Sequence, residues 1–298
     1  MGESMVQFLK YRFASLVFST LLLSAFVATA IYNYKNFGQV FSYSIDFTGG
    51  TQTLLRFSVP VGSEQVRQIL AHNGFEGIDT RSFSENEVMV RVKEYASDAK
   101  GLGDRIRATL QENMPDLQVT ILQSESVGPA VGQTLRTKSV RAIVIALILM
   151  LAYIAIRFWS FAFAVGAVVA LFHDALIMLA MFLFLNKEIS IYVIGAILAV
   201  LGYSINDTIV IFSQIRENIG KMKGRTLNEI VNASLNQTLK RTILTSVSTG
   251  LPVLAMLLFG GDALFNLSFA LLVGIIFGTY SSIYIASPVM MMLYNKKD

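Results

Sequence analysis

The sequence contains no cysteine, which excludes disulfide bonds and cysteine-ligated metal sites. Histidine is scarce as well: His72 and His173 lie far apart, and they suggest no metal site on their own. Only 15% of the residues are charged, against about 25% in an average soluble domain. Because 54% of the residues are hydrophobic and the mean hydropathy is +0.57, the composition excludes an ordinary soluble protein.

The apolar residues are collected into six runs that are long enough to cross a bilayer as helices. These runs cover approximately residues 13–32, 139–157, 161–185, 189–213, 242–260 and 264–293. The first run, with basic residues before it and Ala28-Thr29-Ala30 near its end, is also similar to a signal peptide. Its length and the later runs favour an uncleaved helix. The sequence therefore predicts a polytopic α-helical membrane protein with six transmembrane helices.

Residues 33–137 are charged and mixed in composition, which indicates a folded domain between the first segment, 1–32, and the remaining spans, 138–298. Its pattern predicts an α+β domain with the ferredoxin-like order βαββαβ. The predicted elements are strand 51–58, helix 63–73 capped by Ser63, strands 75–83 and 87–93, helix 97–113 and strand 117–123. An acylphosphatase-like enzyme would share this fold. The domain lacks an anion-binding glycine loop with a partnered Arg and Asn, so a binding or mechanical role is favoured.

Lysine and arginine in the short loops predict how the spans are oriented. The loop 214–241 contains six of these residues, namely Arg216, Lys221, Lys223, Arg225, Lys240 and Arg241. With six spans, this loop lies on the same side as both termini, where Lys10, Arg12, Lys296 and Lys297 add positive charge. The positive-inside rule thus predicts cytoplasmic termini and a periplasmic or extracellular location for residues 33–137.

Within the basic loop, Thr226 and Glu229 have the spacing of a capping box, which predicts that a helix begins there. Apolar residues then recur every four positions, at Leu227, Val231, Leu235 and Leu239. This spacing predicts an amphipathic helix that leads into the fifth span. The helix would lie along the inner membrane interface or pack on the cytoplasmic loops of a partner.

The fourth span contains Asn206 and Asp207 within an apolar run. A carboxylate in hydrocarbon costs roughly 3 kcal/mol by insertion scales, so such a residue usually faces a helix bundle or a water path and has a function. Small residues share one helical face with Asn206, namely Gly195, Ala199 and Gly202. This face predicts close approach of another helix. The alternative is an Asp207 that only forms a hydrogen bond to a neighbouring helix.

Arg241 begins the fifth span on the cytoplasmic side, near the predicted level of Asp207. An arginine at this edge is normally an anchor, but its long side chain also reaches inward. The two residues then form a switch that is either paired and ionised or separated and neutral. The fifth span continues with five hydroxyl side chains, which favour a water path: Thr242, Thr245, Ser246, Ser248 and Thr249.

His173 and Asp174 lie near the middle of the third span. Histidine titrates near neutral pH, so the pair is consistent with a proton relay. It is equally consistent with a cross-link between helices, and the sequence leaves both interpretations open. In the sixth span, Gly274, Gly278 and Ser282 recur every four residues, which predicts a close-packing surface without chemistry.

Several motifs occur together and in a fixed order. The first two are glycine turns, Asp46-Phe47-Thr48-Gly49-Gly50 after the first span and Val127-Gly128-Pro129-Ala130-Val131-Gly132 before the second. They are followed by His173-Asp174, Gly202–Val210, Gln214–Asn218, Asn236–Thr242, Thr245-Ser246 and Gly278–Ser282. With this set, the sequence resembles the SecF subunits of the bacterial SecD/SecF protein-export family, of the resistance–nodulation–division superfamily.

The resemblance implies one half of a twelve-helix pump in the bacterial inner membrane, with SecD as the other half. It implies no enzyme activity and no cofactor, with protons as the coupling ion and sodium open as an alternative. It implies Asp207 as the proton-binding residue and Arg241 as its partner. Asn206, Thr245, His173 and Asp174 are included in the predicted coupling site because of their positions in the spans. The implied partners are SecD, the SecYEG translocon, YajC, unfolded exported polypeptides and the lipid bilayer, and no nucleic acid.

Two further functions stay open at this point. One is a proton-driven exporter of small molecules or lipids from the same superfamily, which would need a large apolar pocket in its outer domain. The other is a membrane assembly factor whose polar residues only fix helix pairing. An intramembrane enzyme is disfavoured because no nucleophile or metal-ligand pattern is present.

Overall fold

The computed structural model describes residues 6–95 and 98–294, with Asp262 and Ala263 described by their backbone alone. The chain divides into two compact units. The first, called the membrane unit below, comprises residues 1–42 and 141–298, and the second, the sheet unit, comprises Tyr43–Val140. The predicted 33–137 domain has similar boundaries. The termini with Lys296 and Lys297, and Ser97 at the predicted start of a helix, lie outside the described residues.

Within the described residues, six helical segments are long and apolar enough to cross a membrane, so the six predicted spans are confirmed. The first is α1, Arg12–Phe37, which a short 3-10 turn, Phe8–Tyr11, precedes. The next four are α5, Pro129–Phe158, α6, Phe161–Phe184, α7, Ile191–Lys221, and α8, Leu227–Phe259. The sixth span consists of α9, Gly261–Ser281, a π-helical segment, Ser282–Ala286, and α10, Ser287–Leu293.

The segment 214–241 is not the long loop that the sequence predicts. Helix α7 continues to Lys221 and α8 begins at Leu227, so only a short turn separates them. The capping box forms as predicted: Thr226 Oγ1 accepts from the Glu229 amide at 3.3 Å, and Glu229 Oε2 accepts from the Thr226 amide at 2.9 Å. The apolar runs in the sequence correspond only to the parts of α7 and α8 that are apolar enough to lie in the bilayer. Their ends continue as polar helix.

The amphipathic start of α8 packs on the polar end of α7 in the same chain. Asn218 Nδ2 donates to Ser234 Oγ and to Gln237 Oε1, both at 2.8 Å. The Asn236 side chain also contacts both peptide groups of Val6, at 2.8 and 2.9 Å. These contacts hold the start of α8 on its own chain, which neither sequence-based alternative for this helix had included.

Burial divides the spans into two classes. About half or more of the apolar part of α6, α7 and the sixth span is buried, whereas α1, α5 and α8 bury very little of theirs. Glycines allow the buried helices to approach closely. A Cβ atom on Gly274 would lie 2.3 Å from Val200 Cγ2, and one on Gly278 would lie 3.1 Å from Ser204 Cβ. The sixth span therefore packs directly on α7.

The sheet unit has the predicted ferredoxin-like arrangement. Its elements are α2, Ile45–Thr48, β1, Gly50–Phe57, α3, Ser63–His72, β2, Asp79–Ser84, β3, Glu87–Val92, α4, Ala99–Asn113, and β4, Val119–Val127. The antiparallel sheet has the order β2-β3-β1-β4. One face of the sheet packs on α3 and α4 through buried apolar residues that include Leu55, Val90, Leu70 and Ile106.

Local details of the sheet unit differ from the sequence-based expectation. Gly62, not Ser63, is the N-cap of α3, and Ser63 is its first helical residue. The strand predicted to begin at Phe75 begins at Asp79, because Phe75 is buried in the core next to the end of α3 instead of in the sheet. The strand β4 continues to Val127, because its pairing with β1 extends as far as Gly50.

Candidate functional site

Asp207 is buried in α7 and incompletely hydrogen bonded. Only 2% of its surface is exposed. Asp207 Oδ1 lies 3.4 Å from Thr245 Oγ1 on α8, and the Thr245 hydroxyl lies closer to the carbonyl oxygens of Thr242 and Arg241 in its own helix, at 2.9 and 3.0 Å. Among residues 6–95 and 98–294, Oδ2 has no hydrogen-bond partner, and neither has the buried hydroxyl of Thr242. Because buried polar atoms in folded proteins are nearly always paired, the site between α7 and α8 is unusual.

Arg241 lies one helical turn before Thr245 on α8, and its side chain is exposed. In the described part of the chain it forms no ion pair within 4 Å, so it is not in direct contact with Asp207, although it lies near enough to act on Asp207 electrostatically. The switch between a paired and a separated state stays a prediction. An arginine side chain is long and flexible, and here no contact to an acidic group fixes it.

The predicted hydroxyl groups of α8 that follow Thr245 fall into two sets: one contacts neighbouring helices and the other is exposed. Ser246 Oγ lies 2.6 Å from Thr279 Oγ1 on α9 and accepts from the Tyr203 hydroxyl at 3.4 Å. Ser248 and Thr249 are exposed. The predicted polar surface thus extends from the Asp207 site across α8. Tyr203 and Thr279, which belong to it, were not predicted.

The small-residue face of α7 has no neighbour in the described part of the chain. Gly195, Ala199, Gly202 and Asn206 are all exposed. Nothing lies within 4 Å of a Cβ atom placed on Gly195 or Gly202. This face borders the Asp207 site on the same helix, and it is shaped for another helix to approach.

The second buried carboxyl group, on Asp174 of α6, has a different environment. Asp174 Oδ2 accepts from Ser204 Oγ of α7 at 2.7 Å and from Ser281 Oγ of α9 at 2.8 Å. Oδ1 lies 3.3 Å from His173 Nδ1, and Asp174 is 0% exposed. Both carboxyl oxygens are therefore engaged.

The contacts extend from His173 to α1. His173 Nε2 lies 3.1 Å from Ser19 Oγ, which lies 3.0 Å from the Tyr280 hydroxyl. The Tyr280 hydroxyl donates to the carbonyl oxygen of Ser15 at 2.7 Å. These side chains are called the Asp174 cluster below: Ser19, His173, Asp174, Ser204, Tyr280 and Ser281. The three serines were missed from the sequence, although Ser204 precedes Asp207 by one helical turn.

The remaining predicted packing residues line the contact between α7 and the sixth span. Gly274 and Gly278 lie against α7, and Ser282 Oγ is 2.9 Å from Thr208 Oγ1. Ser282 opens the π-helical segment, where the Ser287 hydroxyl donates to the Ser282 carbonyl at 3.1 Å. Close to this segment, a Cβ on Gly166 of α6 would lie 2.7 Å from the Ala286 carbonyl oxygen.

The two predicted glycine turns contact each other in the sheet unit. Gly49 has a φ of +74°, and a Cβ atom there would lie 2.8 Å from Pro129 Cα. A Cβ on Gly132 would lie 3.1 Å from the Gly49 amide nitrogen, and one on Gly50 would lie 2.5 Å from the Val92 carbonyl oxygen. Asp46 accepts from Ser44 Oγ at 2.9 Å in the short helix before these glycines, and Gly128 precedes Pro129. The turns thus have a structural role in joining β1 to the start of α5.

The arrangement between α7 and α8 suits the binding of a proton. A carboxyl oxygen without a hydrogen-bond partner accepts a proton without losing an existing contact. Within the described residues, no group of three His, Asp or Glu side chains converges as a metal site. The site combines a carboxyl group that has one oxygen without a hydrogen-bond partner with an exposed guanidinium that forms no ion pair within 4 Å in the described residues.

Comparisons with known proteins agree with the motifs. A family described as "Protein export membrane protein SecD/SecF, C-terminal" matches residues 106–296, and the "SecD/SecF GG Motif" matches residues 37–61. The chain belongs to the SecD/SecF family. The first glycine turn, with Gly49 and Gly50, lies in the GG-motif match, and the second, 127–132, lies in the C-terminal match.

Relatives within the SecD/SecF family match over nearly the whole chain. The protein translocase subunit SecF of Thermodesulfovibrio yellowstonii is 37% identical over 98% of this chain and 96% of its own length. SecF of Pseudomonas aeruginosa is 41% identical over 90% of this chain and 88% of its own. The protein translocase subunit SecDF of Thermus thermophilus is 40% identical, but the match covers 37% of that longer protein.

A solved structure shows the same fold. The crystal structure of SecDF from Thermus thermophilus, described as a translocon-associated membrane protein, superposes with a TM-score of 0.85 at 36% identity. The match covers 97% of this chain and 39% of the SecDF chain. The fold of six membrane helices with a ferredoxin-like domain is therefore that of one part of SecDF.

Proposed function

We propose that this chain is an accessory subunit of the Sec protein translocase, that it works with SecD, and that it couples the proton motive force to export of unfolded polypeptide. Relatives of matching length are named SecF, and in SecDF of Thermus thermophilus the matching part is joined to a further part in one chain. The fusion supports SecD as the counterpart of this chain in the proposal. The role is transport, without an enzymatic reaction.

The observation on which the coupling rests is the buried, half-engaged carboxyl group of Asp207. Protonation converts the carboxylate to a neutral acid while Arg241 is not in direct contact with it, as in the structure. Release of the proton leaves a carboxylate in a site that burial makes costly, and approach of Arg241 then stabilises it. The Thr245 hydroxyl lies 3.4 Å from one oxygen, and Asn206 lies next to Asp207 on the exposed face. The charge on Asp207 thereby biases how α7 and α8 pack.

The direction of proton movement follows from the proposed orientation. Basic residues at the α7–α8 turn and around Lys10 and Arg12 favour cytoplasmic termini, which gives the sheet unit a periplasmic location. Protons then enter from the periplasm and leave to the cytoplasm. One elementary charge that crosses 100 mV supplies about 2.3 kcal/mol. This amount shifts a conformational equilibrium but does not unfold a stable protein, so the substrate is an already unfolded chain.

The exposed face of α7 supports the assignment of SecD as the partner. Its small residues allow close helix contact, and Asn206 there would otherwise be left in lipid. SecYEG supplies the emerging polypeptide in this proposal, and YajC is a further component of the complex. Protons are the proposed coupling ion, and sodium is the alternative that the experiment below separates from it.

The test uses membrane vesicles that contain SecYEG, SecD and this chain, with export driven by an imposed proton or sodium gradient. We expect a proton gradient to accelerate export in the parent, and we expect Asp207→Asn to abolish this acceleration while the complex still purifies with SecD. The matched control is Glu217→Gln, an exposed carboxylate on α7 that pairs with Lys221. Full gradient-dependent export by Asp207→Asn would refute the proposal. If a sodium gradient accelerates export and a proton gradient does not, sodium is the coupling ion instead of the proton.

A further inference from the structure

The hydrogens of the Asp174 cluster can be counted from its contacts. The Tyr280 hydroxyl donates its only hydrogen to the Ser15 carbonyl, which can only accept. Tyr280 must therefore accept from Ser19 Oγ at 3.0 Å, and this bond uses the only hydrogen of Ser19. It follows that His173 Nε2, 3.1 Å from Ser19 Oγ, bears a hydrogen and donates it.

The count continues to the carboxyl group. The hydroxyl of Ser204 donates to Asp174 Oδ2, and that of Ser281 lies closer to Oδ2, at 2.8 Å, than to its other acceptor, the Gly278 carbonyl oxygen at 3.2 Å. With both hydroxyls donating to Oδ2, the remaining contact is between His173 Nδ1 and Asp174 Oδ1. One hydrogen lies between these two atoms. The pair is either an imidazolium with a carboxylate or a neutral imidazole with a carboxylic acid. Both forms have the same number of protons and no net charge.

Any change in this number alters the hydrogen bonds of the cluster. Loss of the shared proton would leave two acceptors, Nδ1 and Oδ1, facing each other at 3.3 Å. Gain of a proton would leave two donors in the same place, or would turn the Ser281 hydroxyl from Asp174 to the Gly278 carbonyl. Either change also puts a net charge at a residue that is 0% exposed. Tyr280, the other titratable group of the cluster, has already committed its hydrogen and offers no compensation.

The cluster also fixes the helix on which Asp207 lies. Ser204 and Asp207 are both in α7, three residues apart and therefore about one helical turn. The Asp174 carboxyl group contacts α7 through Ser204 and α9 through Ser281, while His173 contacts α1 through Ser19. The height and rotation of α7 at Asp207 are thus set against three other elements.

We infer that Asp174 is a positioning residue, which holds α7 and hence Asp207 in register with α6 and the sixth span, and that the His173–Asp174 pair keeps its proton instead of conducting it. This inference rests on the proposed function, since it takes Asp207 as the proton-binding residue. It decides between the two interpretations of His173 and Asp174 that the sequence leaves open. The relay is replaced by a fixed cross-link.

The test is Asp174→Asn in the vesicle export assay. The asparagine amide oxygen accepts from both serines, and its NH₂ group donates to His173 Nδ1, so the cluster keeps every contact while the side chain has no exchangeable acid proton. We expect this variant to purify with SecD and to retain most of its gradient-dependent export. A proton relay through Asp174 requires that Asp174→Asn lose gradient-dependent export. Loss of gradient-dependent export in an assembled Asp174→Asn complex would overturn the inference, and so would failure of this variant to assemble.

A second variant removes the contacts and leaves the acid in place. In the double variant Ser204→Ala, Ser281→Ala, Asp174 no longer holds α7 or α9. We expect gradient-dependent export to fall several-fold in complexes that still contain SecD. The control is Ser268→Ala, since Ser268 is also buried in the sixth span but donates only to Leu264 of its own helix. Parental coupling in the double variant would overturn the inference.

The two proposals fail in different experiments. If Asp207→Asn retains gradient-dependent export, the proposed function fails whatever Asp174→Asn does. If both Asp207→Asn and Asp174→Asn lose gradient-dependent export, the proposed function is retained and the inference fails, because Asp174 is then a proton carrier. Retention in Asp174→Asn together with loss in Asp207→Asn supports both proposals.

Discussion

Asp174 and Asp207 are both buried carboxyl groups in the membrane unit, on the neighbouring helices α6 and α7, but their surroundings differ. Both oxygens of Asp174 have partners, two of them at 2.7 and 2.8 Å. Asp207 has one long contact of 3.4 Å and one oxygen without a partner in the described residues. Burial of a carboxyl group in a membrane helix therefore does not by itself identify a proton site. The number and quality of its hydrogen bonds distinguish a fixed group from a group that can change its charge.

The largest difference between the two sites is expected in stability. Asp174→Ala leaves Ser204, Ser281 and His173 without their acceptor, and each unsatisfied buried group costs about 1–3 kcal/mol. We expect a loss of about 3–5 kcal/mol, which is typical of a broken buried pair. Asp207→Ala removes one long contact and should cost about 1 kcal/mol or less. Unfolding of the two variants in detergent measures this difference, and equal losses would break the comparison.

Two helix faces of the membrane unit contain glycines, and they extend the comparison to packing. The face with Gly274 packs on α7, whereas the face with Gly195 is exposed. Gly274→Ala places a methyl group 2.3 Å from Val200 Cγ2, and such overpacking typically costs about 1–3 kcal/mol. Gly195→Ala enters open space, so the stability of the isolated chain should not fall. We expect Gly195→Leu to reduce co-purification with SecD while its unfolding in detergent matches the parent. Unchanged SecD binding by Gly195→Leu would remove this face from the proposed interface.

A smaller effect is expected at Thr245, the hydroxyl that contacts Asp207. Thr245→Val keeps the shape of the side chain and removes a contact that is worth about 0.6 kcal/mol in a typical membrane protein, or about threefold in an equilibrium. The gradient-dependent rate of export should change by no more than this factor. Ser248→Ala, at an exposed position of the same helix, is the control. A complete loss of coupling in Thr245→Val would mean that this hydroxyl is itself part of the proton path.

The smallest effect on stability is expected for an exposed carboxylate, Glu64. Arg67 donates to Glu64 at 2.8 Å in α3, and this contact lowers the pKa of Glu64 from its ordinary value of 4.5. Because the folded pKa is depressed, the stabilisation is present above the unfolded pKa and disappears as the pH falls through the folded value. We expect Glu64→Gln to unfold at nearly the parent temperature at neutral pH and at the same temperature in strong acid. A large difference in melting temperature would show that surface pairs here matter more than expected.

The sequence was informative where a residue contrasts with its neighbours. The spans were predicted because apolar runs contrast with the charged residues between them, and Asp207 was found because an acid in such a run is rare. The end of α7 was not predicted, because its polar last turns have no hydropathy signal, whereas the start of α8 was predicted from its capping box. The βαββαβ order of elements agreed with the prediction because alternating apolar residues, as in β3, mark strands with one buried face.

The Asp174 cluster shows what the sequence could not provide. Ser19, Ser204 and Ser281 are ordinary residues in membrane helices, where a hydroxyl often bonds only to its own backbone. Their importance comes from the meeting of residues that are distant in sequence, and only the structure shows it. For the same reason, the sequence leaves the role of His173 and Asp174 open, and the proposal of a fixed cross-link depends on donors and acceptors that only the structure provides.

The π-helical segment Ser282–Ala286 has a consequence for variation in chain length. On its two sides, Ser281 and Met290 both face α6, the first toward Asp174 and the second toward Gly166. One residue turns a regular helix by about 100°, but the i→i+5 turn of a π-helix contains one residue more than an α-helical turn. A homologue with one residue fewer between these two contacts therefore keeps both of them only if regular α-helix replaces the π-helical segment.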